Sequence, residues 1–219
     1  MGCPCHLIHN IACKASEAFC DTSKFSLEDM CVDSYYYSDK STKQKSLLVE
    51  FADFLDVEYR QVIKHVNTHS LSLETAVRRN LDMYPALKSY FRSNTESNPR
   101  FKRLKQQFAD PMVEVYHLFF QALLPTFFFP NKVLQREDPC IYAAHGQLNE
   151  FVQCLLGKFV LIDKIKAAKT VDKVTFEEES QQLKDGQLFI GFATRKLLTK
   201  LVNKGYIGET KRDQFYQAR

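Results

Sequence analysis

Tryptophan is absent from this chain of 219 residues, and glycine and proline number only seven each. A sandwich or barrel built from many tight turns needs more of both, so the composition points to helices. No glycine-rich phosphate loop and no paired zinc-finger spacing occurs. Acid and base nearly cancel, with 30 Lys and Arg against 26 Asp and Glu and a net charge of +4, so any nucleic-acid footprint has to be local. The seven cysteines are an odd set, five of them before residue 32, and no secretory signal is read ahead of them. Reduced thiols in the cytosol or nucleus are the expectation. Gly2-Cys3 at the start resembles an acylation signal, but His6 stands where that pattern requires Ser or Thr.

What is present is apolar content at helical spacing. Hydrophobic residues make up 45% of the chain, enough for a real core in one domain or two small ones. Leu7, Ile8, Ile11, Ala12, Ala15 and Phe19 recur as one helical face. Ser26 is placed to cap a second helix with Glu28 and Asp29 in its first turn, and Ser41 a third carrying Leu47, Leu48, Phe51, Phe54 and Leu55. Val57 to Val66 suits a helix or a short strand. Leu73, Val77, Leu81 and Tyr84 give another helix, punctuated by Pro85, and Asn94 to Pro99 reads as a polar linker.

Beyond that linker, Phe101, Leu104 and Phe108 face one way among Arg100, Lys102, Arg103 and Lys105, an amphipathic basic helix. Met112 to Phe129 is the longest apolar stretch. It contains Glu114, His117, Gln121 and Pro125, so it reads as buried core rather than a membrane span, with a kink or end at Pro125. A further helix is expected from Pro139 to Leu156. Thr170 to Gly186 reads as a surface loop, Leu188 to Lys204 as a helix using Phe192, Leu197, Leu198, Leu201 and Val202, with Gly205 as its stop. A short helix over Glu209 to Ala218 ends the chain, and the predicted fold class is mainly α.

The chemistry-bearing candidates are few. Cys3, Cys5, His6 and His9 place four soft ligands within seven residues, but a structural zinc site needs a second pair, and Cys13, Cys20 and Cys31 do not supply one at matching spacing. A thiolate paired with His6 or His9 lacks an identifiable orienting group. Phe159 to Asp163 is the one strand-like run that ends in an acid, and a carboxylate-metal nuclease needs several such acids to converge. Two basic patches could meet phosphate: Arg100, Lys102, Arg103 and Lys105, and Arg195 and Lys196 with Lys200 and Lys204.

Several segments together resemble one family. They are Gly2-Cys3-Pro4-Cys5-His6-Leu7-Ile8-His9-Asn10, with a Cys-x-x-His block at Cys3 and His6; Val32 to Lys43; Asp110-Pro111-Met112-Val113-Glu114-Val115-Tyr116; Leu134-Gln135-Arg136-Glu137; and Leu188-Phe189-Ile190-Gly191-Phe192. These resemble transposase-derived proteins of the hAT superfamily, in the zinc-finger-862-like group. The resemblance implies a ribonuclease-H-like domain with an Asp, Asp, Glu triad, interrupted by a helical insertion. It places both Asp-bearing strands ahead of Met1 and the Glu-bearing helix after Arg219. Residues 1–40 would then be the Cys-x-x-His corner at the edge of that core, with Cys3 and His6 as structural motif positions, and residues 41–219 the helical insertion.

The chain departs from the family where Thr-Arg-Trp-x-Ser is usual. Here Thr68-His69-Ser70-Leu71-Ser72 stands, and neither an imidazole nor a hydroxyl replaces an arginine fork or an indole face. His69 and Ser70 are therefore read as a degenerate motif. No catalytic residue, metal or cofactor is assigned, and the chain is expected not to be an enzyme. The expected function is a non-catalytic remnant of a hAT-like transposase that keeps DNA or partner-protein binding. The partners are DNA, a protein or a second copy, with no membrane and no small-molecule substrate. The resemblance favours the nucleus over the cytoplasm. The alternative is a helical protein-interaction module with no nucleic-acid role.

Overall fold

The computed structural model describes residues 4–39, 41–65, 70–134 and 141–218, and they are mainly helical. In chain order the α-helices are α1 (Pro4–Ser23), α2 (Leu27–Asp39), α3 (Thr42–Phe54), α4 (Ser70–Asp82), α5 (Tyr84–Ser93) and α6 (Pro99–Ala109). They continue as α7 (Met112–Leu123), α8 (Pro125–Leu134), α9 (Ile141–Leu156), α10 (Ile162–Ala167), α11 (Phe192–Asn203) and α12 (Glu209–Ala218). Among the described residues the one piece of β pairing is an antiparallel bridge between Val160 and Gln182. The chain divides into two compact units: one of residues 1–15 with 125–190, the other of 16–124 with 191–219.

The larger unit, 16–124 with 191–219, is built where the sequence pattern places its helices. The Ser26 hydroxyl accepts from the Asp29 amide at 3.2 Å, and the Ser41 hydroxyl from the Gln44 amide at 3.4 Å, so both serines cap the helices they precede. Pro85 sits in the first turn of α5, where its missing N–H costs nothing. The segment 57–65 forms neither helix nor strand, although Val62 and His65 are buried along it. The residues between Asn94 and Pro99 are a tight connection rather than a domain linker: α5 and α6 pack on each other, and Asn98 caps α6 by accepting from the Arg100 amide at 2.9 Å.

The core of this unit is aromatic. Phe91 stacks flat on Phe108 with centroids 5.1 Å apart, and Phe101 and Tyr37 pack against Phe91 at 5.3 and 5.2 Å. Tyr37, Tyr90, Phe91, Phe101 and Phe108 are all buried, and each such ring contributes on the order of 1.5–3 kcal/mol by leaving water. Phe19, in the C-terminal half of α1, meets Tyr116, Phe119 and Phe120 of α7. The inward face of α7 is thus filled by protein. The continuous run Met112–Leu134 is long and apolar enough, by length and composition alone, to cross a membrane, and half of its most apolar window is buried within the protein.

Gly191 and Gly205 bracket α11. Gly191 has φ +82°, and a Cβ there would lie 2.6 Å from the Ala122 Cβ of α7, so only glycine lets α11 start this close to α7. Gly205 has φ +69°; its amide donates to the Val202 carbonyl at 2.9 Å and the Tyr206 amide to Leu201 at 3.0 Å. Those two bonds form the paired C-terminal lock expected of a left-handed glycine, so α11 stops where the sequence places its stop. Its start differs: residues 188–191 are not helical.

In the smaller unit α8 packs on α9, and Phe127 meets Phe151 at 5.6 Å. Leu156, Val160, Ile165 and Val174 make a small core, with Val152, Phe159 and Ala168 against it. Phe159 to Asp163 does not form the strand its composition suggests. Val160 alone is bridged, and Asp163 lies in the first turn of α10, where the helix dipole favours a carboxylate. The 170–186 region is a loop carrying two short 3-10 turns, Val171–Lys173 and Glu179–Gln181.

Candidate nucleic-acid interface

The basic helix α6 places its cations in very different surroundings. Its apolar residues Phe101, Leu104 and Phe108 are buried, as the spacing requires. The Arg100 Nε donates to Asp33 Oδ1 at 2.8 Å, while Arg103 donates through Nε at 2.9 Å and Nη2 at 2.7 Å to Asp33 Oδ2. Arg100 also lies over the Tyr36 ring at 5.4 Å. Lys105 donates to the Asn94 carbonyl at 2.6 Å, holding the end of α5, and covers the Phe101 ring. Lys102 is exposed. Two guanidinium groups and one ammonium of this patch are therefore engaged in joining α6 to α2 and α5.

The second basic patch is arranged differently. On α11, Thr194, Leu198 and Leu201 are buried, which turns Lys196, Lys200 and Lys204 outward, and all three are exposed. At 100° per residue, positions 192, 196, 200 and 204 fall within an arc of about 120° and span about 18 Å. No Asp or Glu occurs from Phe192 to Asn203, and among the described residues no ion pair engages these lysines. Phe192, read from the sequence as part of the apolar face, is instead 84% exposed, and Tyr206 just past the helix is 66% exposed. Lysines near a helix C-terminus are favoured by its dipole, which accounts for Lys200 and Lys204. The dipole gives no reason for a bare phenyl ring at the other end.

The motif positions contribute less. Cys3 and His69 lie outside the described residues, and Ser70 opens α4. His6 is on α1, where its ring meets that of His9 at 6.4 Å, and the His9 Nε2 lies 3.5 Å from the Cys13 Sγ one turn on. Among the described residues no group of three or more His, Cys, Asp or Glu is placed to hold a metal ion. Cys5, Cys13, Cys20, Cys31 and Cys154 are not joined in disulfides.

Two polar clusters escaped the sequence reading because their members are far apart in the chain. The first lines an open cleft of about 830 Å³ in the larger unit, where Lys211 pairs with Asp110 at 2.9 Å beside Asp29, Asp33 and Arg103. Asp110 also caps α7 by accepting from the Met112 amide, so its charge is already matched. In the second, the buried His65 bonds Ser72 through Nδ1 at 2.9 Å, while its Nε2 is 3.8 Å from Glu28 Oε2. That is beyond hydrogen-bond reach, so the serine, imidazole and carboxylate are neighbours without a continuous proton relay. Comparison with protein-family models, with curated proteins and with solved structures finds no match to this chain.

Proposed function

We propose that this chain is a non-catalytic helical remnant of a hAT-like transposase that binds DNA and does not cut it. The observation that supports binding is the acid-free face of α11, whose three exposed lysines carry no intramolecular partner among the described residues. Lysines left uncompensated in this way are free to neutralise phosphates and so release the counterions condensed on DNA. The family assignment rests on the sequence segments quoted above, and so does a nuclear location.

The test is incubation of the purified chain with labelled DNA in the presence of magnesium or manganese. Salt-dependent binding with intact strands is expected. Metal-dependent cleavage, abolished by substituting a single internal Asp or Glu, overturns the reading.

A second reading, a protein-interaction module with no nucleic-acid role, is favoured by one separate feature. A shallow cleft of about 530 Å³ is lined by Leu55, Pro85, Lys88, Ser89, Arg92 and Ser93, with Phe54 fully in solvent at 85% exposure beside Leu55 in the chain. Loss of DNA binding on removing the α11 lysines excludes this second reading as the whole function.

A further inference from the structure

We infer that the outer face of α11 is built for a single-stranded nucleic acid, with Lys196, Lys200 and Lys204 on the phosphates and Phe192 and Tyr206 as stacking platforms for bases; the inference rests on the DNA-binding reading above. Duplex DNA presents phosphates to such a helix but keeps its base faces stacked inside. Two exposed rings flanking a line of lysines have no partner on it. A single strand offers both chemistries at once, because each unstacked base has a free π face and each linkage a charge.

The placement fits. Phe192 heads α11, is the single aromatic residue on that helix and is 84% exposed; Tyr206 follows the glycine lock at its other end. Between them the helix carries small or polar outward residues, Ala193, Thr199 and Asn203, that leave the lysines unobstructed. The length of about 18 Å suits a few nucleotides rather than a long groove. The surface also costs the fold nothing to present, since the inward residues Thr194, Leu198 and Leu201 hold α11 independently of it.

The experiment is fluorescence anisotropy of the full chain with fluorescein-labelled oligothymidylate, and with duplex DNA of the same length, at low and moderate salt. The single strand is expected to bind at least about tenfold more tightly than the duplex, since stacking of one base is worth about 1–3 kcal/mol. Phe192→Ala and Tyr206→Ala should each weaken single-strand binding about five- to hundredfold and leave duplex binding unchanged. The triple substitution of Lys196, Lys200 and Lys204 by alanine should reduce the salt slope by about 2, at about 0.7 per phosphate contact. Because all five side chains are exposed, unchanged circular dichroism is expected throughout.

Equal affinity for the two forms, with Phe192→Ala and Tyr206→Ala without effect and the lysine triple variant weakened, overturns the single-strand inference and leaves the DNA-binding reading standing. No binding of either form at low salt removes both.

Discussion

Asp33 on α2 and Arg103 on α6 are joined side on, with Nε and Nη2 of the guanidinium both reaching Asp33 Oδ2 at 2.9 and 2.7 Å and Nη2 also reaching Oδ1 at 3.0 Å. Arg100 takes Oδ1 from the other side at 2.8 Å, so one carboxylate is shared by two arginines a turn apart. Both arginines remain partly in solvent while the Asp33 side chain is 12% exposed. The acid is the member that depends on the pair, and its burial makes the joint asymmetric.

Asp33→Ala should therefore lower stability by about 1–3 kcal/mol, because the arginines left behind can rehydrate but the hydrogen bonds between α2 and α6 are gone. Arg103→Lys should lose part of that amount, since an ammonium cannot supply two parallel donors. Urea unfolding of the variants checks both. A change smaller than a few tenths of a kcal/mol for Asp33→Ala would show the joint to be incidental.

A second joint links α2, α5 and the turn after it. The Tyr37 hydroxyl donates to Glu96 Oε1 at 2.7 Å and lies 2.7 Å from the Tyr90 hydroxyl, which also reaches Glu96 Oε1 at 3.4 Å. Burial, reinforced by these bonds, pushes the Tyr37 hydroxyl far above its ordinary range, and burial raises Tyr90 as well. Both phenols therefore hold their protons to higher pH than an ordinary tyrosine. Tyr37→Phe should cost about 1–2 kcal/mol, since it removes the hydroxyl that joins Tyr90 to Glu96 and leaves Tyr90 only its longer 3.4 Å bond to that carboxylate. Spectrophotometric titration at alkaline pH should show tyrosines that ionise only on unfolding, and fewer of them in the Tyr37→Phe variant.

The helices were readable from the sequence because each has a local reason to exist. Ser26, Ser41, Pro85, Pro125 and Gly205 act within a turn of themselves, and the stripe Phe101, Leu104 and Phe108 needs only a surface to pack on. The roles of the cations were not readable. Nothing near Arg100 and Arg103 announces Asp33, which is 67 and 70 residues away, so a patch that looks basic in the chain is neutralised in the fold. The α11 lysines were legible as a patch because their freedom follows from a local fact, the lack of any acid along that helix. Phe192 misled in the opposite direction: counted with the apolar residues of α11, it falls by helical spacing on the face of Lys196 and Lys200, away from Thr194, Leu198 and Leu201, while Gly191 packs on Ala122. Val160 shows the same limit for strands, since the β-prone run makes one bridge, to Gln182, held by bonds between Leu161 and Gln181 and between Leu183 and Phe159, and then turns into α10.

The cysteines should separate cleanly by reactivity. Cys31 is wholly buried, and burial pushes its thiol up to about 12, with Glu28 adding to the shift and a hydrogen bond from Asn80 at 3.2 Å opposing it. Cys154 is exposed. Iodoacetamide at mildly alkaline pH, followed by peptide mass spectrometry, should modify Cys154 within minutes and Cys31 only after denaturant is added, because the thiolate is the reacting form. Alkylation of Cys31 in the folded chain at a rate comparable to Cys154 would contradict its placement in the core.

His117 gives the chain an acid-sensitive centre. It is completely buried in α7, with Nδ1 donating to the Val113 carbonyl at 2.8 Å and its Nε2 unpaired. Burial lowers it to about 4 from the ordinary value of 6.5, and the bond to Val113 offsets only part of that. In the unfolded chain the same imidazole binds a proton near pH 6.5, so between that pH and about 4 the unfolded state holds more protons than the folded one. Stability contributed by the neutral ring is therefore complete above about pH 6.5 and falls as the pH drops toward 4, by about 3 kcal/mol in all. His117→Gln keeps a donor for Val113 without a titrating group, and should remove that part of the pH dependence while costing some stability at neutral pH. Urea midpoints measured from pH 7 down to about 4 on both proteins isolate the difference, since carboxylate titration is common to the two. Parallel curves would mean that His117 is protonated in the folded chain and that its pocket is wet.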